Sequence, residues 1–202
     1  MQKLISDLKK KGLLNLRTEK AFSRIDRFDF VPDSLKKYAH EDVPLSIGFG
    51  QTISQPQVVA FMLDLLSVEK NDNILDVGFG SGWTTALLAE IAEEGRVTAI
   101  EKIPEIFYFG KSNIEKYNFI KEKRVELFLG DGREGRIENA PYNKVLVSAA
   151  DSDHDFFLGI RDQLQERAKI VIPINSSIFL FTKKGNNFNK EEYKGFSFVP
   201  LV

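Results

Sequence analysis

The segment Asp76-Val77-Gly78-Phe79-Gly80-Ser81-Gly82-Trp83 decides the fold of this chain. It follows a β-rich run and begins an amphipathic stretch. At that place in an α/β sheet the backbone approaches a bound nucleotide so closely that a Cβ atom would be in the way. A dinucleotide fingerprint, G-x-G-x-x-G, requires its third glycine at position 83, which is Trp83 here. The loop therefore predicts a nucleoside-type ligand rather than a nicotinamide dinucleotide. The alternative is a tight strand-to-helix turn without a ligand.

The pattern around this loop predicts the fold class. From Asn73 onward, short β-rich runs alternate with longer amphipathic stretches, which indicates βαβ units. We expect a three-layer, Rossmann-like, doubly wound α/β fold with a mainly parallel sheet and an antiparallel C-terminal hairpin. The predicted strands of the parallel part are 74–77, 96–101, 125–129, 144–148 and 170–174, the predicted helices are 84–92, 104–117 and 156–165, and the predicted hairpin strands are 178–183 and 196–201.

The first seventy residues predict a helical cap on this sheet. Leu4 and Leu8 have the spacing of a buried helix face, and an apolar helix is expected from Gln57 to Leu66. The segment 44–56, with two glycines and two prolines, is expected to be a loop that covers a substrate. We predict one domain, 1–202, in which 1–70 form the N-terminal helical cap and substrate loop and 71–202 form the cofactor-binding α/β core.

Composition excludes several classes of function. With 28 basic and 29 acidic residues the net charge is -1, so no overall field favours nucleic acid or anionic lipid. The absence of cysteine excludes disulfides and thiolate metal sites, and two histidines leave little for a metal cluster, so no metal is expected. The apolar run 58–66 is too short to span a membrane, and the N-terminus lacks a signal-peptide pattern. We expect a cytoplasmic protein that binds neither membrane nor nucleic acid.

Polar residues stand where two further predicted strands end. Glu101 ends the second strand, where its carboxylate can accept hydrogen bonds from two ribose hydroxyls. Asp131 and Gly132 follow the third strand, where Asp131 can accept an adenine amino group and Gly132 lets the backbone approach the ring. A solvated carboxylate and an idle Gly-Asp-Gly turn are the alternatives. Taken with the glycine loop, these residues favour one nucleoside-binding crevice.

The chain resembles the protein-L-isoaspartate O-methyltransferase family, whose members are class I S-adenosylmethionine-dependent methyltransferases. The resemblance covers most of the chain, and its most specific part is the run Gly50-Gln51-Thr52-Ile53-Ser54-Gln55-Pro56. The other family features are Ala21-Phe22, Phe30-Val31-Pro32, the glycine loop, Gly130-Asp131-Gly132, Ala140-Pro141-Tyr142, Ala149-Ala150, Ile172-Pro173 and Val199-Pro200-Leu201. A generic methyltransferase would share the glycine loop but has no reason to carry the 50–56 run.

This resemblance implies an enzyme of protein repair. Its cofactor would be S-adenosylmethionine, with S-adenosylhomocysteine as product, and its partners would be isoaspartyl-containing proteins or peptides. The methyl group would pass to the side-chain or main-chain carboxylate of an L-isoaspartyl residue. Separately from the resemblance, we expect a monomer. The implied catalytic residue is Ser54. The implied cofactor residues are Asp76, Gly78, Phe79, Gly80, Ser81, Gly82, Glu101, Lys102, Asp131 and Gly132, and the substrate loop comprises Gln51, Thr52, Ile53, Val199 and Pro200.

Two points leave alternatives open. Ser54 has the position of an acceptor-orienting hydroxyl, but serine before a helix that begins with proline is also typical of a helix cap. The segment 151–155 carries three carboxylates where the family has a proline-bearing loop, and acidic groups there would repel an anionic acceptor. In the same loop His154 is either a surface residue or a general base. There are therefore two competing interpretations. One is a methyltransferase with a different acceptor, such as a small molecule or RNA, and the other is a non-catalytic cofactor-binding module.

Overall fold

The structure, a computed structural model, describes residues 1–151 and 159–201. Its α-helices there are α1 (Gln2–Lys10), α2 (Leu16–Arg24), α3 (Pro56–Leu66), α4 (Trp83–Ile91) and α5 (Pro104–Ile114). Its strands are β1 (Leu45–Gly48), β2 (Gln51–Ile53), β3 (Asn73–Val77), β4 (Arg96–Glu101), β5 (Val125–Leu129), β6 (Tyr142–Val147), β7 (Leu164–Ile174), β8 (Ser177–Lys184) and β9 (Asn187–Lys194). Short 3-10 helices cover Arg27–Phe30, Asp33–Tyr38, Gly132–Glu134, Ile137–Asn139 and Arg161–Gln163.

A seven-stranded mixed sheet forms the centre of the molecule. Its strand order is β5-β4-β3-β6-β7-β8-β9, and the pairs from β5 to β7 are parallel. Strand β3 is buried along Ile74–Val77, as expected for a parallel strand that is covered on both faces. The chain runs from β3 to β4 on one side and later returns to β6 on the other, so the carboxyl end of β3 is a switch point where ligands bind. The predicted α/β fold class is confirmed.

The antiparallel end of the sheet was predicted only in part. Strand β8 pairs antiparallel with both β7 and β9, but β9 covers Asn187–Lys194 rather than 196–201. The reason is that β9 is a polar, mostly exposed edge strand without the apolar alternation that marks a half-buried strand. The segment 196–201 instead returns to the switch point, where Ala150 N–H donates to Val199 O (2.8 Å) and Leu201 N–H donates to Ala150 O (2.8 Å).

The N-terminal part is helical, as α1, α2 and α3. Helix α3 packs on β6, β7 and β8, whereas α2 packs on α4 and α1 packs on α2. Phe22 of α2 makes an edge-to-face contact with Trp83 of α4 at 5.4 Å between ring centroids. The prediction that 44–56 form a loop was wrong for its centre, where β1 and β2 make an antiparallel hairpin. A two-residue turn, Phe49-Gly50, joins two strands of only four and three residues, which are too short to be distinguished from a loop by sequence pattern, and both turn residues have positive φ.

One predicted helix falls partly outside the described residues. The prediction was a helix over 156–165, of which 156–158 are not described. Its C-terminal end was wrong, since a 3-10 turn occupies Arg161–Gln163 and β7 begins at Leu164. The predicted helix over 104–117 ends earlier, at Ile114. No helix in the described ranges is both long and apolar enough to cross a membrane.

Candidate cofactor and acceptor site

The glycine loop connects β3 to α4 in a conformation that side chains disfavour. Gly82 precedes α4 with φ +86°, and a Cβ atom built there would lie 2.6 Å from Ile114 Cγ1 of α5. Glycine therefore meets two demands at this position, a left-handed backbone and close approach of α5. The loop also stays close to β4, because Gly78 N–H donates to Ile100 O at 2.8 Å.

Glu101 is held at the end of β4 by backbone donors. It is 7% exposed. Its Oε1 accepts from Lys102 N–H (2.9 Å) and Ile103 N–H (3.0 Å), and its Oε2 accepts from Gly80 N–H (3.0 Å). Each carboxylate oxygen has further lone pairs, so this fixed group can still accept hydrogen bonds from a ligand.

Asp76 lies beneath the loop and carries an incompletely paired carboxyl group. Its Oδ2 accepts from Thr85 Oγ1 at 2.6 Å, whereas the buried Oδ1 has no hydrogen-bond partner in the described part of the chain. Burial, with a smaller contribution from the charge of Glu101, raises the pKa of Asp76 to about 7 against the opposing hydrogen bond from Thr85.

Asp131 and Gly132 follow β5 at the same edge of the sheet. Burial opposes ionisation of Asp131, but the Arg133 N–H (3.0 Å) and the Lys102 ammonium (3.0 Å) outweigh it and lower the pKa of this carboxyl. Asp131 therefore stays an anionic hydrogen-bond acceptor at neutral pH. Gly132 packs so closely on β3 that an added Cβ would lie 2.3 Å from Val77 Cγ1.

These elements surround a cavity at the carboxyl end of β3. Its empty volume is about 700 Å³, including space open to solvent. The structure brings together there most of the predicted residues, namely Gln51, Thr52, Ile53, Ser54, Gly78, Phe79, Gly80, Ser81, Glu101, Lys102, Gly132, Val199 and Pro200. Asp76, Gly82 and Asp131 are not among the residues that line it. The sequence reasoning missed Ser148 and Ile103 in the lining, although both follow a parallel strand at the same edge as Glu101.

Ser54 lies between this cavity and an outer pocket. The outer pocket is lined by Pro44, Thr52, Ser54, Gln55, Val58, Ser148, Ser197, Phe198 and Val199. The two share Thr52, Ser54, Ser148 and Val199, so they adjoin at these residues. The helix-cap alternative for Ser54 finds no support, because α3 has Gln55 as N-cap without a side-chain bond and Gln57 N–H donates to Asp42 Oδ1 at 2.8 Å.

The acidic segment 151–155 is described only at its first residue. Asp151 is 5% exposed, and it is not among the residues that line the cavity or the outer pocket. His154 and the other residues of this segment lie outside the described ranges. Repulsion of an anionic acceptor by this segment therefore remains a prediction.

Comparison with known proteins identifies one family for this chain. The family model for protein-L-isoaspartate(D-aspartate) O-methyltransferase matches residues 1–202. A protein-L-isoaspartate O-methyltransferase of Pyrococcus horikoshii is 36% identical, over 100% of this chain and 92% of that protein. The enzyme of the same name from Dictyoglomus thermophilum is 37% identical, over 99% and 90% of the two chains.

Solved structures agree with this result. A protein-L-isoaspartate O-methyltransferase superposes with a TM-score of 0.89 at 28% identity, over 98% of this chain and 65% of that chain. The fold is shared with a putative family member from Plasmodium falciparum in complex with S-adenosyl-L-homocysteine, with a TM-score of 0.85 at 22% identity over 99% and 97% of the chains. The chain described here belongs to the protein-L-isoaspartate(D-aspartate) O-methyltransferase family.

Proposed function

We propose that this protein transfers the methyl group of S-adenosylmethionine to the carboxylate of L-isoaspartyl residues in damaged proteins or peptides. The observation that carries the proposal is that Thr52, Ser54, Ser148 and Val199 border both the cavity at the carboxyl end of β3 and the outer pocket. A cofactor in the cavity and an acceptor in the outer pocket would therefore meet at these residues. Family membership over the full chain favours this reaction over a different acceptor or a non-catalytic module.

The residues of the cavity fit the cofactor. A Cβ built on Gly78 would lie 3.9 Å from Ala149 Cβ and 4.0 Å from Leu201 Cδ1, two side chains that line the cavity. A side chain at position 78 would therefore occupy cavity space, whereas glycine leaves it free for a ligand. Glu101 would hold the ribose hydroxyls, and Asp131 would accept the adenine amino group. Bound there, the cofactor supplies an electrophilic methyl group on a sulfonium.

The chain's own task is alignment of the acceptor. A carboxylate of this type has a pKa of about 3.3–3.9, so it is ionised at neutral pH and needs no general base. Holding two reactants in line is worth up to about 7–11 kcal/mol in favourable intramolecular cases. The Ser54 hydroxyl would donate a hydrogen bond to one acceptor oxygen and leave the other free to attack.

Methyl transfer to paired peptides tests this function. The expected result is labelling of an isoaspartyl peptide by S-adenosylmethionine, with no labelling of the aspartyl peptide of the same sequence. Gly78→Val should abolish both labelling and calorimetric binding of S-adenosylhomocysteine. Cofactor binding without isoaspartyl labelling would favour another acceptor, and failure to bind the cofactor would contradict the proposal.

We infer one domain over 1–202, with 1–70 as cap and substrate loop and 71–202 as cofactor-binding core. The protein would act as a cytoplasmic monomer on polypeptides rather than on nucleic acid, which the net charge of -1 supports. Light scattering during gel filtration tests the monomer, and a retardation assay with RNA tests the exclusion of nucleic acid.

A further inference from the structure

Arg27 is a fully buried cation close to the acceptor side of the site. Its exposure is 0%, and burial lowers its pKa to about 10 against the opposing charge of Asp42. In the described part of the chain, no carboxylate lies within salt-bridge distance of its guanidinium, and Nε has no hydrogen-bond partner. Burying a cation without a partner carboxylate costs stability unless its donors are hydrogen-bonded.

The guanidinium is instead a donor to backbone carbonyls. Nη1 donates to Ala39 O (3.0 Å) and Glu41 O (3.3 Å). Nη2 donates to Val43 O (2.9 Å), Ser54 O (3.1 Å) and Ile53 O (3.4 Å). One side chain thus ties the segment 39–43 to the end of β2. Without Arg27, these carbonyl groups would lose the hydrogen bonds that its guanidinium donates.

The same guanidinium contacts the cofactor side. Its central carbon lies 5.4 Å from the ring centroid of Trp83, which is the first residue of α4 and lines the cavity. Ile53 and Ser54 also line the cavity, whereas Arg27 does not. Arg27 therefore joins the start of α4 to the segment that carries Ser54 without lining the cavity.

We propose that Arg27 is a positioning residue for methyl transfer. By fixing the carbonyls of residues 53 and 54 relative to Trp83, it sets the place of the Ser54 hydroxyl between cofactor and acceptor. This inference rests on the proposed function. It assigns Arg27 no contact with either reactant.

Substitution of Arg27 separates positioning from folding. Arg27→Lys keeps the charge but cannot reach both segments with a two-pronged donor. We expect kcat on the isoaspartyl peptide to fall by about 10- to 100-fold, since a misplacement of ~1 Å can cost about 10²-fold. The dissociation constant of S-adenosylhomocysteine should stay the same within error. In Arg27→Ala, kcat should fall further than in Arg27→Lys, and guanidinium chloride at millimolar concentration should restore part of it.

Arg124→Met provides the matched control. Arg124 also donates to a backbone carbonyl, Ala89 O at 2.7 Å, and lies over Phe119, but it does not line the cavity. This variant should lower the melting temperature and leave kcat unchanged. An unchanged kcat in Arg27→Lys, or equal kinetic losses in the Arg27 and Arg124 variants at matched melting temperature, would overturn the proposal.

Hydrogen exchange provides a readout that needs no methyl acceptor. In Arg27→Lys the amides of 51–55 should exchange faster, whereas those of α4 should keep their protection. If the wild type fails to methylate the isoaspartyl peptide, the proposed function fails while this exchange pattern still tests Arg27. Unchanged exchange at 51–55 in Arg27→Lys would contradict the positioning role.

Discussion

At the residue scale, substitution of Ser54 distinguishes the two roles that the sequence allowed, an acceptor-orienting hydroxyl and a helix cap. Because Asp42 rather than Ser54 bonds the start of α3, Ser54→Ala should leave the melting temperature unchanged. A hydrogen bond to a charged group is worth about 1.5–3 kcal/mol, so kcat/KM should fall by about 10- to 150-fold. Steady-state kinetics with the isoaspartyl peptide and calorimetry with S-adenosylhomocysteine measure the two effects.

Ser46→Ala is the control for this prediction. Ser46 is exposed on β1 and pairs with Thr52 across the same hairpin, so the substitution makes an equivalent change outside the cavity. Its kcat/KM should match the wild type. A lower melting temperature in Ser54→Ala, with normal kinetics, would return Ser54 to a purely structural role.

Asp76 predicts a pH dependence of stability. Its folded-state pKa of about 7 lies above the ordinary value of 3.8, so the folded protein retains a proton that the unfolded chain releases. The stability that this group contributes is complete below the ordinary value and is lost as the pH rises through about 7. Asp76→Asn removes the titration. In urea unfolding, the free energy of unfolding of the variant should therefore rise relative to that of the wild type between pH 5 and pH 8. Parallel curves for the two proteins would exclude a raised pKa.

The sequence was informative about residues at strand ends and silent about others. The positions of Glu101 and Asp131 at one edge of the sheet could be predicted, because the carboxyl ends of parallel strands meet there. Arg27 could not, since nothing in its neighbourhood shows that carbonyls from 39–43 and 53–54 surround it. That environment depends on tertiary contacts between segments that a local pattern does not relate.

At the scale of elements, the junction of β3, α4 and α5 depends on Gly82. Gly82→Ala places a methyl group 2.6 Å from Ile114 Cγ1 and 2.9 Å from Gly110 O, at a φ of +86° that disfavours any side chain. Strain and overpacking should together cost about 2–5 kcal/mol. Chemical denaturation measures this loss, and calorimetry should show weaker binding of S-adenosylhomocysteine because the glycine loop must shift.

Gly12→Ala isolates the contribution of backbone strain. Gly12 has a similar φ of +72°, but an added Cβ meets no atom within 4 Å. The free energy of unfolding of this variant should fall by about 1 kcal/mol, and its binding of S-adenosylhomocysteine should be normal. If Gly12→Ala and Gly82→Ala lose the same free energy, the close approach of α5 does not matter.

The elements that sequence patterns missed share a physical cause. Strand β9 is a polar edge strand, and β1 and β2 have only four and three residues. In neither case does apolar alternation extend over enough residues to predict a strand, because β9 is mostly polar and the alternation of β1 covers only four residues. Strands β3 and β4 are buried along nearly their whole length, and both could be located to within a residue.

At the scale of the whole molecule, three distant parts of the chain close one cavity. The substrate loop, the glycine loop and the segment 199–201 all line it, and the last is attached to Ala150 by two backbone hydrogen bonds of 2.8 Å. The family resemblance pointed to these parts, whereas their convergence on one cavity is a tertiary arrangement that a local pattern does not reveal. A ligand that fills the cavity should therefore stabilise the fold as a unit.

S-adenosylhomocysteine should raise the melting temperature of the whole protein. At about 100 times its dissociation constant a ligand adds about 2.7 kcal/mol, which for about 200 residues corresponds to roughly 5 to 10 °C. Glu101→Gln should reduce this shift, because an amide with one oxygen replaces a carboxylate that already receives three backbone bonds. Glu94→Gln, which changes only a surface pair with Lys70, should keep the full shift. Calorimetric scans with and without product make the comparison, and equal shifts in the two variants would remove Glu101 from the cofactor site.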